Sequence, residues 1–161
     1  MPSILFVCSA NRYRSVLAAA FFCQCLEQVA DRESWSVSSA GTWTKPGLPP
    51  DARALQDARD WGLDIKRHRS RQVDANLLAQ NDLVLVMEAG QKEALQIEFP
   101  MERNKIYLLS EVANGLPYDI PDPLNPDGAT HQEIAVELHS LITHGFIHIC
   151  EHAKPSRNPT L

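Results

Sequence analysis

The sequence predicts an α/β fold in three layers, with a four-stranded parallel sheet flanked by helices on both faces. Short apolar runs alternate with longer segments of helical periodicity. The first run is apolar without interruption, which is typical of a strand covered on both faces. The chain has 161 residues, 44% hydrophobic and 22% charged, which suits one ordinary globular domain with a sizeable core.

Four segments have the composition of strands. They are short, rich in Val, Ile, Leu and Phe, and bounded by polar or turn residues. The expected strands cover residues 3–7, 35–39, 82–87 and 105–109. Strands that alternate with helices pair in parallel through right-handed crossovers, and ligands of such sheets bind at the carboxyl ends of the strands.

The segments between these strands have the periodicity of helices. Helices are expected over residues 15–30 and 51–61, with a shorter one between the third and fourth strands. Thr130 and Glu133 have the spacing of a capping box and predict the start of the last helix. We therefore expect one domain over residues 1–153, followed by a flexible proline-containing tail over residues 154–161.

Net charge, hydropathy and cysteine spacing indicate which binding partners and which cell compartment to expect. A net charge of −5 argues against a general nucleic-acid binder. No apolar stretch is long enough to span a bilayer, and the first residues lack the basic flank of a secretory signal, so no membrane partner is expected. The four cysteines lack the spacing of a zinc site and are few for a disulfide scaffold. They predict free thiols and a cytoplasmic protein.

The segment between the first strand and the first helix predicts a nucleophile beside an anion site. It contains, in order, Cys8, Ser9, Ala10, Asn11, Arg12, Tyr13, Arg14 and Ser15. The first turn of a helix has unpaired N–H groups, and these complement an anion together with the planar fork of an arginine. The same surroundings stabilise the thiolate, the reactive form of cysteine, and the Ser15 hydroxyl can donate to its sulfur.

These residues resemble the Cys-x5-Arg-Ser phosphate loop of the low-molecular-weight protein tyrosine phosphatases, which carry it after the first strand. Asp122 and Pro123 resemble the Asp-Pro pair of that family's general acid. Further matches at residues 39–42, 49–55, 62–65 and 68–72 extend the resemblance over nearly all of residues 3–150.

The resemblance implies a two-step phosphatase reaction through a phosphocysteine, without a metal or other cofactor. Cys8 is the expected nucleophile, Arg14 the phosphate clamp and Asp122 the general acid. The backbone of residues 9–15 is expected to bind the phosphate. The residues expected to support the loop are Asn11, Ser15, Ser39 and His68. The expected partner is a phosphorylated protein or a small phosphomonoester, and the oligomeric state is left open.

Several positions depart from the family pattern. Ala10 stands where glycine is usual and predicts strain if that residue needs a positive φ. Tyr13 replaces a second cysteine that could trap the oxidised nucleophile as a disulfide. Leu124 follows Asp122-Pro123 where aromatic residues are common, so the expected substrate cleft consists of Leu124 and Trp43. Asp119 is interpreted as a turn or support residue.

Three alternatives follow from the same residues. A thiol-dependent arsenate reductase would need further cysteines after the third strand, and residues 87–95 contain none. A protein-arginine phosphatase resembles this loop but has threonine where Arg12 stands. A phosphate-binding module without catalysis would result if Ala10 or Tyr13 had disabled the loop.

Overall fold

The structure, a computed structural model, describes residues 1–123 and 128–154 and contains a four-stranded, all-parallel sheet. Its strands are β1 (Ser3–Cys8), β2 (Ser36–Gly41), β3 (Leu83–Val86) and β4 (Ile106–Leu108), in the spatial order β2-β1-β3-β4. The predicted fold class is confirmed, because each expected strand is present and every pairing is parallel.

Six α-helices lie in the described part of the chain. They are α1 (Arg14–Gln28), α2 (Ala52–Asp60), α3 (Ala75–Ala79), α4 (Ala89–Glu98), α5 (Leu109–Asn114) and α6 (His131–Ala153). The Thr130 side chain accepts from the Glu133 N–H, as the capping box predicted. Helices α3 and α5 were missed because five or six residues are too few for a periodic pattern to stand out.

The two faces of the sheet are buried against different helices. Ile4 and Phe6 of β1 point into a core shared with α1, α5 and α6, whereas Leu5 and Val7 point into a smaller core shared with α3 and α4. All six residues of β1 are buried, as expected of a strand with both faces covered. Helix α6 packs closely against α5, since a Cβ on Gly145 would lie 2.5 Å from the Ala113 Cβ.

The register of the sheet brings three chain segments to one edge. Val7 pairs with Val86, and Cys8 pairs with Gly41, so β1, β2 and β3 end side by side. The Ile120 N–H donates to the Met87 carbonyl at 2.8 Å and adds a fourth segment there. The segments that follow β1, β2 and β3 therefore meet residues 118–123 at the carboxyl ends of the strands, where parallel sheets bind ligands.

No described helix is long and apolar enough to cross a membrane. Of the predicted tail, only Lys154 belongs to the described part of the chain, and residues 155–161 lie outside it.

Candidate active site

The phosphate loop, residues 8–15, joins β1 to α1. Cys8 ends β1 with its side chain buried, and its Sγ lies 3.0 Å from the Ser15 Oγ in the first turn of α1. A hydroxyl at this distance can donate to a thiolate. The structure thus places the predicted nucleophile and its predicted hydroxyl partner in contact.

Asn11 is the centre of the loop and has a left-handed backbone conformation, with φ of 55°. Its Nδ2 donates to the Ser15 Oγ at 2.9 Å and to the Ser39 Oγ at 3.0 Å. Its Oδ1 accepts from the Arg71 N–H at 3.0 Å, and its carbonyl accepts from the His68 Nε2 at 2.8 Å. The residues predicted to support the loop therefore meet at one buried asparagine, and Arg71 joins them.

The condition under which strain was expected at Ala10, a positive φ, is not met. Among the described residues other than glycine, positive φ occurs at Asn11 and Ala30, so the left-handed position of the loop is Asn11. Asparagine adopts this conformation more readily than residues with larger or branched side chains. A methyl group at Ala10 is thus compatible with the loop.

His68 is half-buried behind the loop. Burial lowers its pKa, and the charges of Arg69 and Arg71 lower it further against the opposing effect of the Asn11 hydrogen bond. Because the partner of Nε2 is a carbonyl oxygen, Nε2 carries the proton in this contact. A neutral His68 with its proton on Nε2 satisfies the Asn11 carbonyl.

Gly41 allows β2 and the phosphate loop to approach each other. A Cβ at this residue would lie 2.5 Å from the Ser9 carbonyl oxygen, closer than nonbonded atoms can sit. The N–H groups that follow it pair with the loop: Thr42 donates to the Cys8 carbonyl at 2.9 Å, and Trp43 donates to the Ser9 carbonyl at 3.0 Å. Glycine is therefore required here by close packing.

Arg14 is buried beneath the site, with 3% of its side chain exposed. Its Nη1 donates to the Glu88 carboxylate and, at 2.8 Å, to the Ile120 carbonyl. Its Nη2 lies 3.5 Å from the Ser9 Oγ and 3.9 Å from the Asp122 Oδ2. The guanidinium is thus held on one side by Glu88 and Ile120, and its other amino group faces Ser9 and Asp122.

Sequence reasoning missed Glu88 and Gln91, which follow β3. The Gln91 Nε2 donates to the Ser9 Oγ at 3.0 Å, while its Oε1 accepts from the N–H groups of Met87 at 3.0 Å and Glu88 at 3.1 Å. Polar residues directly after a buried parallel strand were the available signal, because such positions lie at the ligand-binding edge of the sheet.

Two aspartates near the site have different surroundings. The Asp119 Oδ1 accepts from the Ala89 N–H at 2.8 Å and so binds the start of α4. The Asp122 side chain is 46% exposed and faces the Arg14 guanidinium. Of the two aspartates, Asp122 is therefore the one whose carboxylate faces the guanidinium of Arg14.

The Tyr13 side chain points away from the loop, into the core between α1, α2 and α6. Its hydroxyl donates to the buried Asp57 carboxylate and lies 2.9 Å from the His131 carbonyl oxygen. Burial and the neighbouring Asp57 charge strongly raise the Tyr13 pKa. Tyr13 was predicted to bind phosphate. Its phenol is buried in the core, so only its backbone is available to bind phosphate.

The predicted rim of the site is described in part. Trp43 is 89% exposed beside the phosphate loop, and the Arg12 Nε donates to the Pro49 carbonyl at 2.9 Å. Leu124, predicted to line the cleft, lies outside the described residues.

The other three cysteines lie outside the phosphate loop in sequence and are free, partly buried thiols. Burial raises the pKa values of Cys23, Cys25 and Cys150, in the last case to about 11. Raised pKa values disfavour the thiolate form, so these three cysteines are poor nucleophiles at neutral pH.

A thiol in a strand-to-helix anion loop, with a buried arginine below it and an aspartate facing it, defines the class of cysteine-dependent phosphatases. Residues 3–152 match the family model of the low molecular weight phosphotyrosine protein phosphatases, and the chain belongs to this family. Its named relatives include protein-tyrosine-phosphatases, which are hydrolases.

Two relatives show the range of the family. A probable low molecular weight protein-tyrosine-phosphatase, EpsP of Ralstonia nicotianae, is 36% identical over 138 residues, covering 86% of this chain and 88% of its own. A protein-arginine-phosphatase of Bacillus subtilis is 28% identical over 141 residues, covering 86% of this chain and 91% of its own.

Solved structures agree with this assignment. The low molecular weight protein tyrosine phosphatase of T. tengcongensis superposes with a TM-score of 0.81 at 29% identity, covering 94% of this chain and 99% of its own. A cysteine-to-serine mutant of the YwlE arginine phosphatase, which carries a phosphorylated active site serine, has a TM-score of 0.79 at 26% identity, covering 96% and 97% of the two chains.

Proposed function

We propose that this protein hydrolyses phosphotyrosine in proteins through a phosphocysteine formed on Cys8. The observation that carries the proposal is the grouping of Cys8 with Ser15, 3.0 Å apart, and of buried Arg14 with Asp122, 3.9 Å apart, at one end of the sheet. These groups supply a nucleophile, a stabiliser of its leaving form, a phosphate clamp and an acid.

In the first step, the Cys8 thiolate attacks phosphorus. The sulfur–phosphorus bond forms as the bond to the ester oxygen breaks, and Asp122 gives its proton to that oxygen. In the second step, the Asp122 carboxylate takes a proton from water while the water oxygen attacks phosphorus. The sulfur–phosphorus bond then breaks, inorganic phosphate leaves, and the Ser15 hydroxyl stabilises the returning thiolate.

Arg14 acts electrostatically in both steps. Its guanidinium and the N–H groups of residues 9–15 surround the oxygens that carry charge in the transition states, and such preorganised donors provide much of the acceleration in phosphoryl transfer. Glu88 and the Ile120 carbonyl fix the plane of the guanidinium, so they are positioning groups. Asn11, Ser39 and His68 position the loop itself.

The rim favours phosphotyrosine over phosphoarginine. The Arg12 side chain is tied to Pro49, beside the loop, and its charge would repel the guanidinium of phosphoarginine. The exposed indole of Trp43 offers a face on which a phenyl ring can stack.

A protein-arginine phosphatase is the second candidate, because relatives with that name are 28% and 30% identical to this chain. The discriminating measurement is kcat/KM on a phosphotyrosine peptide and on a phosphoarginine protein, for wild type and Arg12→Thr. We expect phosphotyrosine to be preferred and Arg12→Thr to reduce that preference. A preference of the wild type for phosphoarginine would contradict the proposal and indicate a protein-arginine phosphatase.

The covalent step is tested by stopping the reaction with denaturant within its first turnover and locating the phosphoryl group by mass spectrometry. We expect it on the peptide that contains Cys8. Cys23→Ser is the matched control and should be labelled like the wild type. Para-nitrophenyl phosphate is the substrate for Asp122→Asn, because its good leaving group needs little protonation in the first step while the second step is slowed. Absence of a phosphorylated Cys8 peptide in that variant would contradict the mechanism.

We further infer a cytoplasmic protein with a single catalytic domain over residues 1–153 that acts on phosphorylated proteins. All four cysteines are free thiols, which suits a reducing compartment. The described residues form one sheet, and α6 packs against both α1 and α5. Both observations support a single domain.

A further inference from the structure

A groove of about 610 Å³ lies beside β2, the first strand in the spatial order of the sheet. Helix α1 lines it with small and apolar side chains that recur at helical spacing: Val16, Ala19, Ala20 and Cys23. Residues 37–39 of β2 and six residues between Asp64 and Arg71 also line it.

Four of the chain's ten arginines line this groove, Arg32, Arg67, Arg69 and Arg71, although the protein as a whole has a net charge of −5. Asp64 is the only acidic residue among those described that lines it, and its Oδ1 accepts from the Lys66 N–H. None of the four guanidinium groups forms an ion pair with a carboxylate of residues 1–123 or 128–154. The groove therefore concentrates positive charge on an acidic protein.

Backbone carbonyls hold three of these arginines. The Arg71 Nε donates to the Ser39 carbonyl and the Arg32 Nη1 to the Trp35 carbonyl, both at 3.0 Å, and the Arg69 Nη1 donates to the His68 carbonyl at 2.7 Å. Each guanidinium has five N–H donors, so most donors remain for a ligand. Anchored arginines lose less conformational freedom on binding than mobile side chains do.

We propose that this groove is a second anion site, which binds a small molecule carrying two or more phosphate groups. The planar fork of arginine matches phosphate with paired, charge-assisted hydrogen bonds, and four forks suit a multiply charged ligand. The apolar side chains of α1 that line the groove can accommodate a short organic body. Cys8 and Arg14 do not line the groove, so it is separate from the phosphate loop.

Three residues of the groove contact the phosphate loop. Ser39, His68 and Arg71 line the groove, and all three bind Asn11. An anion there would offset the Arg69 and Arg71 charges that help to lower the His68 pKa. Binding should thus raise the His68 pKa, which supplies a readout inside the groove that does not depend on catalysis.

The test uses inorganic triphosphate as the probe and the wild-type protein with its phosphate loop saturated by orthovanadate. Backbone amide signals of Ala19, Ala20 and Val37 should shift on titration, and the His68 pKa should rise. Arg67→Ser/Arg69→Ser should weaken binding by about tenfold or more, as expected for the loss of two charge-assisted contacts. The matched control Arg103→Ser removes an exposed arginine outside the groove and should bind like the wild type.

Three outcomes would overturn the proposal. The first is an absence of shifts at the groove signals, and the second is equal affinity in the groove variant and in Arg103→Ser. The third is binding of orthophosphate or of an acidic peptide as tight as that of triphosphate, since the ligand class would then be wrong. The amide spectrum of the groove variant away from residues 64–71 verifies that it is folded.

Discussion

The phosphate loop and the acid segment, residues 118–123, meet at the same site but are held very differently. In the loop, Asn11 is fully buried and binds four partners through its side chain and carbonyl. The acid segment is attached mainly through backbone groups: the N–H and carbonyl of Ile120 bind Met87 and Arg14, and those of Tyr118 bind the Ser110 hydroxyl. Asp122 itself is half-exposed.

This contrast matches the two chemical tasks. Stabilising the charge on a phosphoryl group needs donors fixed before the reaction, because reorganising them would cost free energy at the transition state. A general acid instead needs access to the leaving group in one step and to water in the next. The donors of the loop are therefore held in buried contacts, and the proposed proton-transfer group, Asp122, is half-exposed.

Substitution of the nucleophile should have the largest effect. We expect Cys8→Ser to lower kcat by about 10⁴-fold or more, as removal of a catalytic nucleophile does. Binding of phosphate or orthovanadate should persist, because the loop N–H groups and Arg14 remain. Kinetics with para-nitrophenyl phosphate and isothermal titration with phosphate measure the two properties. Turnover near that of wild type would remove Cys8 from the mechanism.

Loss of the acid comes next. Asp122→Asn should slow hydrolysis of esters with poor leaving groups by about 10²- to 10⁴-fold, the usual range of general acid catalysis. The defect in phosphorylation of Cys8 should shrink with good leaving groups, as single-turnover measurements across a series of aryl phosphates would reveal.

Asp119→Asn is the matched control for Asp122→Asn, and it should be milder, because Asp119 binds the Ala89 N–H. If Asp119→Asn caused the larger loss, the acid would have to be reassigned.

Arg14→Lys should lower kcat/KM by about 10²- to 10³-fold, the cost of one preorganised donor. Lysine keeps the charge but cannot bind Glu88, the Ile120 carbonyl and a phosphate together through a planar fork. Steady-state kinetics would measure the loss, and Arg103→Lys at an exposed position is the control. Near-normal kinetics in Arg14→Lys would show that charge alone suffices.

Two tyrosines allow the contrast between the phosphate loop and the acid segment to be tested through the free energy of unfolding. Tyr13 binds the buried Asp57 carboxylate behind the phosphate loop, and Tyr118 binds the half-buried Glu137 next to the acid segment. Tyr13→Phe should lower the free energy of unfolding by about 1–3 kcal/mol, because Asp57 loses a donor away from water.

Tyr118→Phe is the matched variant and should cost less, since water can replace the donor to Glu137. Urea unfolding of both variants measures the difference. Equal losses would contradict the view that the phosphate loop is the more rigidly supported region.

The smallest expected effect concerns pH. The lowered pKa of His68 means that the folded protein binds fewer protons there than the unfolded chain does. The contribution of His68 to stability is therefore present above its unfolded pKa and is lost as the pH falls toward its folded pKa. The difference in unfolding free energy between wild type and His68→Gln should shrink between pH 7.5 and pH 5. A constant difference would show that His68 titrates alike in both states.

Much of this arrangement could be predicted because its signals are local. Periodicity over a few residues indicated the four strands and the longer helices, and the spacing from Cys8 to Ser15 indicated an anion loop at a strand end. Which residue of that loop has a positive φ could not be predicted from sequence. Ala10 was considered for this position, but the structure has the positive φ at Asn11, whose side chain binds residues far along the chain.

By itself, the sequence determined the fold class and the position of the segment from Cys8 to Ser15 at the end of the first strand, since both depend on local patterns, and it predicted which groups of that segment react. Only the tertiary structure decided which residues surround them. Glu88 lies 74 residues from Arg14, Gln91 lies 82 from Ser9, and Arg71 lies 60 from Asn11. Parallel pairing of β1 with β2 and β3 brings these segments to one edge, and that proximity arises from packing of the whole chain, which no local pattern encodes.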